Sequence, residues 1–311
     1  MVDRTLETFV PLYISNTCDS MCSICNMRSN NKKLHRKEAT ISEIINQLKI
    51  IKEIEKINAV CFLTGEYIES KKRNENIEKI IRIIDYGFRM GYEKIYFNIG
   101  SLSINEIDKF YKKFYSKNIV LSLFQETYSQ TVYKRYFGNN SLINPKADFN
   151  KRLKTAENWI NVGFRNIDIG ILLGLCEPSN DINQLIIHAN KLYKLGAKVH
   201  ISLPRIRGVN NLKYEVNDDK YIEIIKFIKH KCPWASLIVT TRESVDLIKK
   251  SLEYITIVSP GSSDIAPYTI SGKIPNNLET SQFVINKNRE RPSQILDKIG
   301  YKFRYYKEIN N

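Results

Sequence analysis

Three cysteines lie close together near the start of the sequence, at Cys18, Cys22 and Cys25. Their spacing is C-x3-C-x2-C, and they follow an apolar run that is predicted to be a strand. Thiolates grouped this tightly are typical ligands of an iron–sulfur cluster. Three cysteines would leave one iron without a protein ligand, so that iron could bind a small chelating molecule and pass it an electron.

Other roles for these thiols fit the sequence less well. A disulfide framework is typical of short secreted chains, whereas this chain has 311 residues and no signal-peptide pattern at its N-terminus. Structural zinc sites usually have four ligands in paired knuckles, and no second Cys or His pair follows at a suitable spacing. No apolar run reaches the ~18 residues of a membrane span. A cytoplasmic protein with reduced thiols is expected.

The composition indicates a basic protein with enough apolar residues for a large core. Net charge is +15, from 48 basic and 33 acidic residues, and 42% of the residues are hydrophobic. Such a charge can indicate a nucleic-acid or anionic-lipid partner. Here the basic residues are spread along helix-like segments, with the densest run at residues 31–37. We interpret them as solvated surface and expect neither a nucleic-acid nor a membrane partner.

Strands and helices are predicted to alternate along the whole chain. The predicted strands are residues 9–15, 58–63, 94–99, 119–124, 166–173, 198–203, 236–241 and 254–258. The predicted helices are residues 41–54, 77–91, 103–116, parts of 127–162, 181–195, 218–231, 244–252 and 293–298. Apolar strands that alternate with helices favour a parallel sheet buried on both faces. Eight such pairs predict a (β/α)8 TIM-type barrel, formed by one domain of residues 1–311.

Several predicted strands end in polar or glycine-rich segments. In a barrel, such segments gather at one mouth, where chemistry is usually located. Each one alone could be an ordinary turn, a helix cap or a bend at the rim, but together they favour a binding site. They are Gly65-Glu66, Gln125-Glu126, Gly170 to Gly174, Arg205-Ile206-Arg207, Arg242-Glu243 and the small polar loop 259–263.

These motifs resemble the radical S-adenosylmethionine (SAM) superfamily. The cysteine spacing and Gly65-Glu66 carry the resemblance to the superfamily as a whole. Further runs resemble its aromatic amino acid lyase branch, which includes the tyrosine lyase of thiamine biosynthesis. Those runs are Val10 to Asn16, Phe124 to Tyr128, Lys146 to Leu153, Ile169 to Leu175, Ser202 to Arg207, Thr241 to Ser244, Ser281 to Phe283 and Arg289 to Pro292.

The resemblance implies two cofactors and a set of residues that hold them. Cys18, Cys22 and Cys25 would bind a 4Fe-4S cluster whose open iron binds SAM. Gly65 and Glu66 would lie near the methionine amino group of SAM, and Arg152 would bind its carboxylate. The remaining implied residues are Gln125 and Glu126 for SAM, Gly170 and Gly174 for its adenine, and Arg205 or Arg207 for the substrate carboxylate.

The implied reaction is radical cleavage of an amino acid. Reductive cleavage of SAM would give methionine and a 5′-deoxyadenosyl radical. The radical would then break the Cα–Cβ bond of a free aromatic amino acid, with tyrosine (to 2-iminoacetate and p-cresol) expected before tryptophan. A flavodoxin- or ferredoxin-type protein would donate the electron.

The sequence also departs from this branch. Ser129 follows Gln-Glu-Thr-Tyr where relatives have His, Ile24 replaces an aromatic residue, and the N-terminal extension is expected to be incomplete. The alternatives are a radical SAM enzyme for another amino acid or small metabolite and, more distantly, a non-catalytic iron–sulfur or RNA-binding protein.

Overall fold

Ten parallel strands form one curled sheet in the computed structural model. The structure describes residues 4–206, 213–240, 242–261, 264–272 and 290–306. Along the sheet the strand order is β10-β1-β9-β8-β7-β6-β5-β4-β3-β2. The strands are β1 (Leu6–Thr8), β2 (Val10–Tyr13), β3 (Ala59–Leu63), β4 (Lys94–Asn98), β5 (Ile119–Ser122), β6 (Asn166–Gly170), β7 (Lys198–Ser202), β8 (Ser236–Thr240), β9 (Ile257–Ser259) and β10 (Phe303–Arg304).

Strands β1 and β2 are consecutive along the chain but lie near opposite ends of the strand order. The sheet must therefore curl to bring its two ends together. β1 pairs with β9 and β10, whereas β2 pairs with β3. Only Phe9 separates them, and its ring stacks on Tyr96 of β4 at 4.2 Å between centroids. The predicted parallel α/β sheet is therefore confirmed, but the count of eight strand–helix pairs is not. The predicted first strand, residues 9–15, corresponds to β2, and the short strands β1 and β10 lie outside the eight predicted strands.

Nine α-helices connect these strands in the described parts of the chain. They are α1 (Ile41–Glu53), α2 (Lys71–Arg89), α3 (Ile104–Phe114), α4 (Gln130–Phe137), α5 (Phe149–Asn161), α6 (Pro178–Lys194), α7 (Asp218–Lys231), α8 (Val245–Ser251) and α9 (Pro292–Ile299). Helix α2 starts six residues before the predicted boundary because the Ser70 side chain caps it by accepting from the Arg73 amide. Its first turn is polar, so apolar periodicity could not locate this start.

The core lies between the sheet and these helices. Phe97 of β4 stacks on Phe110 of α3, and Trp159 of α5 stacks on Phe164 at 3.6 Å between ring centroids. Such aromatic contacts hold α3 and α5 against the sheet. Among the described residues, no helix combines the length and the apolar character that crossing a membrane requires.

Helix α3 begins with a capping box, and the run Ser103-Ile104-Asn105-Glu106 has the sequence signature of this motif. The Ser103 hydroxyl accepts from the Glu106 amide, and the Glu106 carboxylate accepts from the Ser103 amide. We expect Ser103→Ala to lower the free energy of unfolding by about 1 kcal/mol, because a first-turn amide loses its partner. Thermal or denaturant unfolding would measure this. Ser116→Ala, at an exposed position after the same helix, is the control, and equal losses in the two variants would contradict the assigned cap.

Candidate functional site

A cavity of about 220 Å³ lies where the strands end, and all three clustered cysteines line it. Side chains from β3, β5, β6, β7 and β8, or from the segments that follow them, form the rest of the wall. Of the polar and glycine-rich segments predicted at this mouth, Gly65, Glu66, Glu126, Arg242 and Ser259 line the cavity. Cys18 comes five residues after β2 ends, so it lies on the carboxyl side of the sheet.

The cysteines belong to a loop that the protein closes at its base. Asn16 and Lys37 pair through backbone and side-chain hydrogen bonds of 3.1 and 2.7 Å. The Arg36 guanidinium donates to four carbonyl oxygens of the loop, those of Asn16, Met27, Arg28 and Asn31. Sequence reasoning treated the basic run 31–37 as solvated surface. Arg36 instead shapes the cysteine loop from within.

Close backbone approach joins this loop to the end of β3. A Cβ atom on Gly65 would lie 2.1 Å from the Thr17 carbonyl oxygen and 2.6 Å from Cys18 Cβ, so only glycine fits. The next residue, Glu66, donates its amide to Cys18 Sγ at 3.3 Å and accepts from the Asp19 amide at 2.9 Å. Gly65 therefore acts here by allowing contact between two backbone segments.

The three thiols line one cavity, and the pKa values of two of them are raised. Burial, together with the nearby Cys25, raises the pKa of the Cys18 thiol to about 11. Burial also raises the pKa of Cys22, and Cys25 and Cys18 add to the rise although Lys146 opposes it. A bound positive group would favour the thiolate forms that this environment disfavours.

This arrangement fits a cluster better than a single ion. A structural zinc ion needs its ligands to converge to ~2.0–2.3 Å from one point. Within the described ranges, no three Cys, His, Asp or Glu side chains converge on one point in that way. An iron–sulfur cluster instead takes one thiolate at each of several irons, so its ligands stand further apart. The three cysteines on one cavity wall therefore fit the cluster that the sequence predicts.

Glu66 and Arg152 place an acceptor and a donor side by side in this cavity. Arg152 Nη1 lies 2.8 Å from Glu66 Oε1, and both side chains are almost fully buried. Burial alone would raise the pKa of Glu66, but Arg152, Lys146 and Arg73 outweigh it and the pKa is lowered. The Glu66 carboxylate is therefore ionised, as a partner of an ammonium group must be.

A second buried ion pair lies beside the first. Lys146 Nζ lies 2.6 Å from Glu126 Oε1, and both residues line the cavity. Glu126 has a φ of +68°, a conformation that costs energy for a residue with a side chain and is typical of functional sites. Sequence reasoning assigned Glu126 but gave Lys146 no role of its own. A lysine within a short 3₁₀ turn, here Pro145–Ala147, carries no signal of burial.

The arginines are arranged differently from the sequence prediction. Arg205 is buried among protein acceptors, with Nε 3.0 Å from Glu243 Oε1, Nη2 2.8 Å from Asp218 Oδ1 and Nη1 2.7 Å from the Val216 carbonyl. It is not among the described residues that line the cavity, and its role as a substrate ligand stays a prediction. Arg207 lies outside the described residues. Arg242 lines the cavity instead, and burial lowers its pKa.

The other predicted residues support the wall rather than form it. The Gln125 side-chain amide donates to the Phe149 carbonyl at 3.4 Å, and the Gln125 backbone amide donates to the Gly170 carbonyl at 2.9 Å. A Cβ atom on Gly170 would lie 2.4 Å from the Ser202 carbonyl oxygen, so this glycine permits close packing of β6 against β7. Gly174 has a φ of +108°, which favours glycine in the turn before α6.

Comparison with known proteins agrees with this geometry. The model of the radical SAM superfamily matches residues 12–188. The 2-iminoacetate synthase of Escherichia coli (strain K12) is 25% identical over 254 residues, which are 78% of this chain and 62% of that protein. The chain thus spans less than two thirds of the length of this relative.

Solved structures share the fold. The FeFe-hydrogenase maturase HydG from Carboxydothermus hydrogenoformans is 27% identical, with a TM-score of 0.80 over 97% of this chain and 68% of that chain. Methylornithine synthase (PylB) is 19% identical, with a TM-score of 0.70 over 96% of this chain and 84% of that chain, and it shows similarity of fold alone.

The close approach at Gly65 gives a direct test of the loop. We expect Gly65→Ala to lose most of the iron bound after anaerobic reconstitution, because the added methyl group would displace Cys18. Iron content and visible absorbance would measure this. Gly87→Ala is the matched control, since its methyl group would meet only the end of the Ile95 side chain. Normal iron content in Gly65→Ala would show that the loop tolerates the displacement.

Proposed function

The chain belongs to the radical SAM superfamily, and on that premise we propose that it is a lyase that breaks the Cα–Cβ bond of a free aromatic amino acid. Enzymes of this family use a 4Fe-4S cluster and S-adenosylmethionine. When bound, these cofactors supply a carbon-centred radical that can remove a hydrogen atom from a substrate. One observation supports the proposal above all. The three cysteines, the Glu66–Arg152 pair and Arg242 line the same cavity.

The residues of the cavity offer complementary partners for SAM. Cys18, Cys22 and Cys25 would hold the cluster. The Glu66 carboxylate suits the ammonium of the methionine part, and the Arg152 guanidinium suits its carboxylate, since such charge-assisted hydrogen bonds are strong. Because Glu66 also contacts Cys18 through its backbone, this binding pair is positioned by the cluster loop itself.

Arg242 is the residue that we propose for the substrate carboxylate. It follows β8 and lines the same cavity as the cysteines, whereas Arg205 is not among the described residues that line this cavity. A guanidinium in a poorly hydrated wall binds a carboxylate with two parallel hydrogen bonds. This contact would fix the amino acid backbone close to the reactive carbon, and such orientation can be worth about 7–11 kcal/mol.

Tyrosine is the substrate we propose first, with tryptophan second. The similarity to 2-iminoacetate synthase supports it, together with the branch-specific runs at Gln125 to Tyr128 and Pro204 to Arg207. The wall also contains apolar surface from Phe9, Leu63 and Ile238, which suits an aromatic ring. We further propose that one domain carries the whole reaction, with a flavodoxin- or ferredoxin-type protein as electron donor.

A second candidate is a radical SAM enzyme for another amino acid or small metabolite. Ser129 favours it, because relatives in the lyase branch carry His at this position. Here the Ser129 hydroxyl accepts from the Val132 amide and caps α4. Whatever the histidine contributes in those relatives, Ser129 serves the start of a helix in this chain.

Product analysis separates the two candidates. The reconstituted protein would be reduced under anaerobic conditions with SAM and tyrosine. We expect one molecule of p-cresol and one of glyoxylate, the hydrolysis product of 2-iminoacetate, for each molecule of tyrosine consumed. Cleavage of SAM with no p-cresol would support the second candidate, and no cleavage of SAM with any amino acid would overturn both.

The cysteine assignment predicts the outcome of a single substitution. Cys22→Ala should abolish cluster binding and SAM cleavage, because a buried thiolate ligand is lost. The control is Cys232→Ala, which removes another buried free cysteine that does not line the described cavity. Iron content and release of 5′-deoxyadenosine would be measured in both. An intact cluster in Cys22→Ala would refute the assignment.

The arginine assignment predicts different effects for two variants. Arg242→Gln should raise KM for the amino acid by about 10- to 100-fold, because a hydrogen bond between charged groups is lost. Arg205→Gln should instead lower the unfolding temperature, because Glu243 would lose its buried partner. Steady-state kinetics and thermal unfolding would be recorded for each. A KM effect that is larger in Arg205→Gln would return the role to Arg205.

A further inference from the structure

The deep end of the cavity holds an acidic residue that the cofactor site does not use. Asp168 is the middle residue of β6, whereas the cysteines lie beyond the strand ends, so Asp168 lines the floor. Ser122 ends β5 and donates to Asp168 Oδ2 at 2.6 Å, and Ser202 ends β7 and donates to Oδ1 at 2.9 Å. Two hydroxyls from the neighbouring strands therefore fix the orientation of one buried carboxyl group.

We propose that Asp168 determines substrate specificity by accepting a hydrogen bond from a donor at the far end of the substrate side chain. This inference rests on the proposed function, because it takes the substrate to be an amino acid held at its other end by Arg242. It adds a chemical requirement, a terminal hydroxyl or ammonium group. The expected source is the phenol of tyrosine.

The hydrogen-bonding capacity of the carboxyl group supports this role. An ionised carboxylate has about four acceptor positions, and the two serines use only two of them. Within the described ranges, no Lys or Arg forms an ion pair with Asp168, and the nearby Lys94 pairs with Glu7 at 2.7 Å. A buried acceptor without a cation gains from a ligand that donates to it.

Further buried polar groups lie near Asp168, so this carboxyl group belongs to a polar region at the end of the cavity. The Tyr96 hydroxyl and His200 Nδ1 are buried and have no hydrogen-bond partner among the described residues. Buried polar atoms of this kind normally bind ordered water. Phe9 and Ile238 also line the cavity and give it apolar surface. An apolar passage that ends in a hydrogen-bond acceptor matches a side chain with an apolar body and a polar tip.

The protonation of Asp168 gives the site a characteristic pH response. Burial raises the pKa of Asp168 to about 7, although Ser122, Ser202 and Lys94 oppose the rise. The carboxyl group therefore becomes a better acceptor as pH rises through neutrality. The titratable groups that face it are Lys94 with its partner Glu7, Tyr96, Cys61 and His200.

The test compares amino acids that differ only in a terminal donor. Tyrosine is paired with phenylalanine and lysine with norleucine, and kcat/KM for amino-acid-dependent cleavage of SAM is measured for each. The wild-type enzyme should prefer tyrosine over phenylalanine by about 10- to 100-fold, from one hydrogen bond to a charged group. Asp168→Asn should reduce this ratio to a few fold. The ratio should also rise with pH in the wild type and stay flat in the variant.

Control variants separate specificity from stability. Glu55→Gln removes another buried carboxylate that a serine hydroxyl binds, that of Ser293 at 2.6 Å, at a site away from the cavity. It should lower the unfolding temperature and keep the wild-type ratio. Ser202→Ala retains Asp168 but removes one of its two donors, so it should reduce the ratio partially. If Asp168→Asn does not fold, the ratio measured for Ser202→Ala still tests the role of Asp168.

The outcomes distinguish this inference from the proposed function. A donor preference confined to lysine, and lost in Asp168→Asn, would support the role of Asp168 and overturn tyrosine as the substrate. Retention of the wild-type ratio in both Asp168→Asn and Ser202→Ala would overturn the role of Asp168 while leaving tyrosine cleavage intact. A wild-type enzyme without preference within either pair would also overturn it.

Discussion

The contact between Gly65 and the segment Thr17-Cys18 is the constraint on which the rest of the site depends. It exists because glycine lacks the Cβ atom that would otherwise meet the Thr17 carbonyl oxygen at 2.1 Å. The contact lets the Glu66 amide reach the Cys18 sulfur while the Glu66 carboxylate reaches Arg152. This short backbone segment therefore couples Cys18, a buried ion pair and the helix α5 that carries Arg152. Displacement of any of these elements would therefore change the positions of the others.

The parallel sheet explains why charged groups from distant parts of the sequence share one cavity. Every strand points the same way, so each following segment delivers its side chains to the same edge. Burial then requires these charges to be neutralised in pairs. Glu66 with Arg152 and Glu126 with Lys146 satisfy this requirement, and their carboxylates and cations also match the two charged groups of an amino acid. The same pairing neutralises the buried charges and presents the two polarities that the proposed recognition of SAM requires.

Much of the fold could be predicted from the sequence, because apolar periodicity and caps are local signals. Helix α7 has the predicted bounds, and the capping box of α3 is present. The separation of β1 from β2 at Phe9 could not be predicted, since it depends on the strands with which each of them pairs. The same limit applies to the site. Motifs predict that Cys18, Glu66 and Arg152 lie in the site, and all three line the cavity, but the sequence could not show that Arg205 pairs with Glu243 and that Arg242 lines the cavity. Asp168 was also missed, because one acid within an apolar strand carries no motif.

The clasp that Asn16, Arg36 and Lys37 form at the base of the cysteine loop has a consequence for how the protein acquires its iron. Ordering a flexible loop of this length has an entropic cost, and here folding has already met it. Insertion of the inorganic core then needs little further organisation of the polypeptide. The hydrogen bonds of the clasp come from the polypeptide alone, so a variant without the Arg36 guanidinium would leave the sulfur-bearing segment with more conformations to restrict when iron and sulfide are inserted.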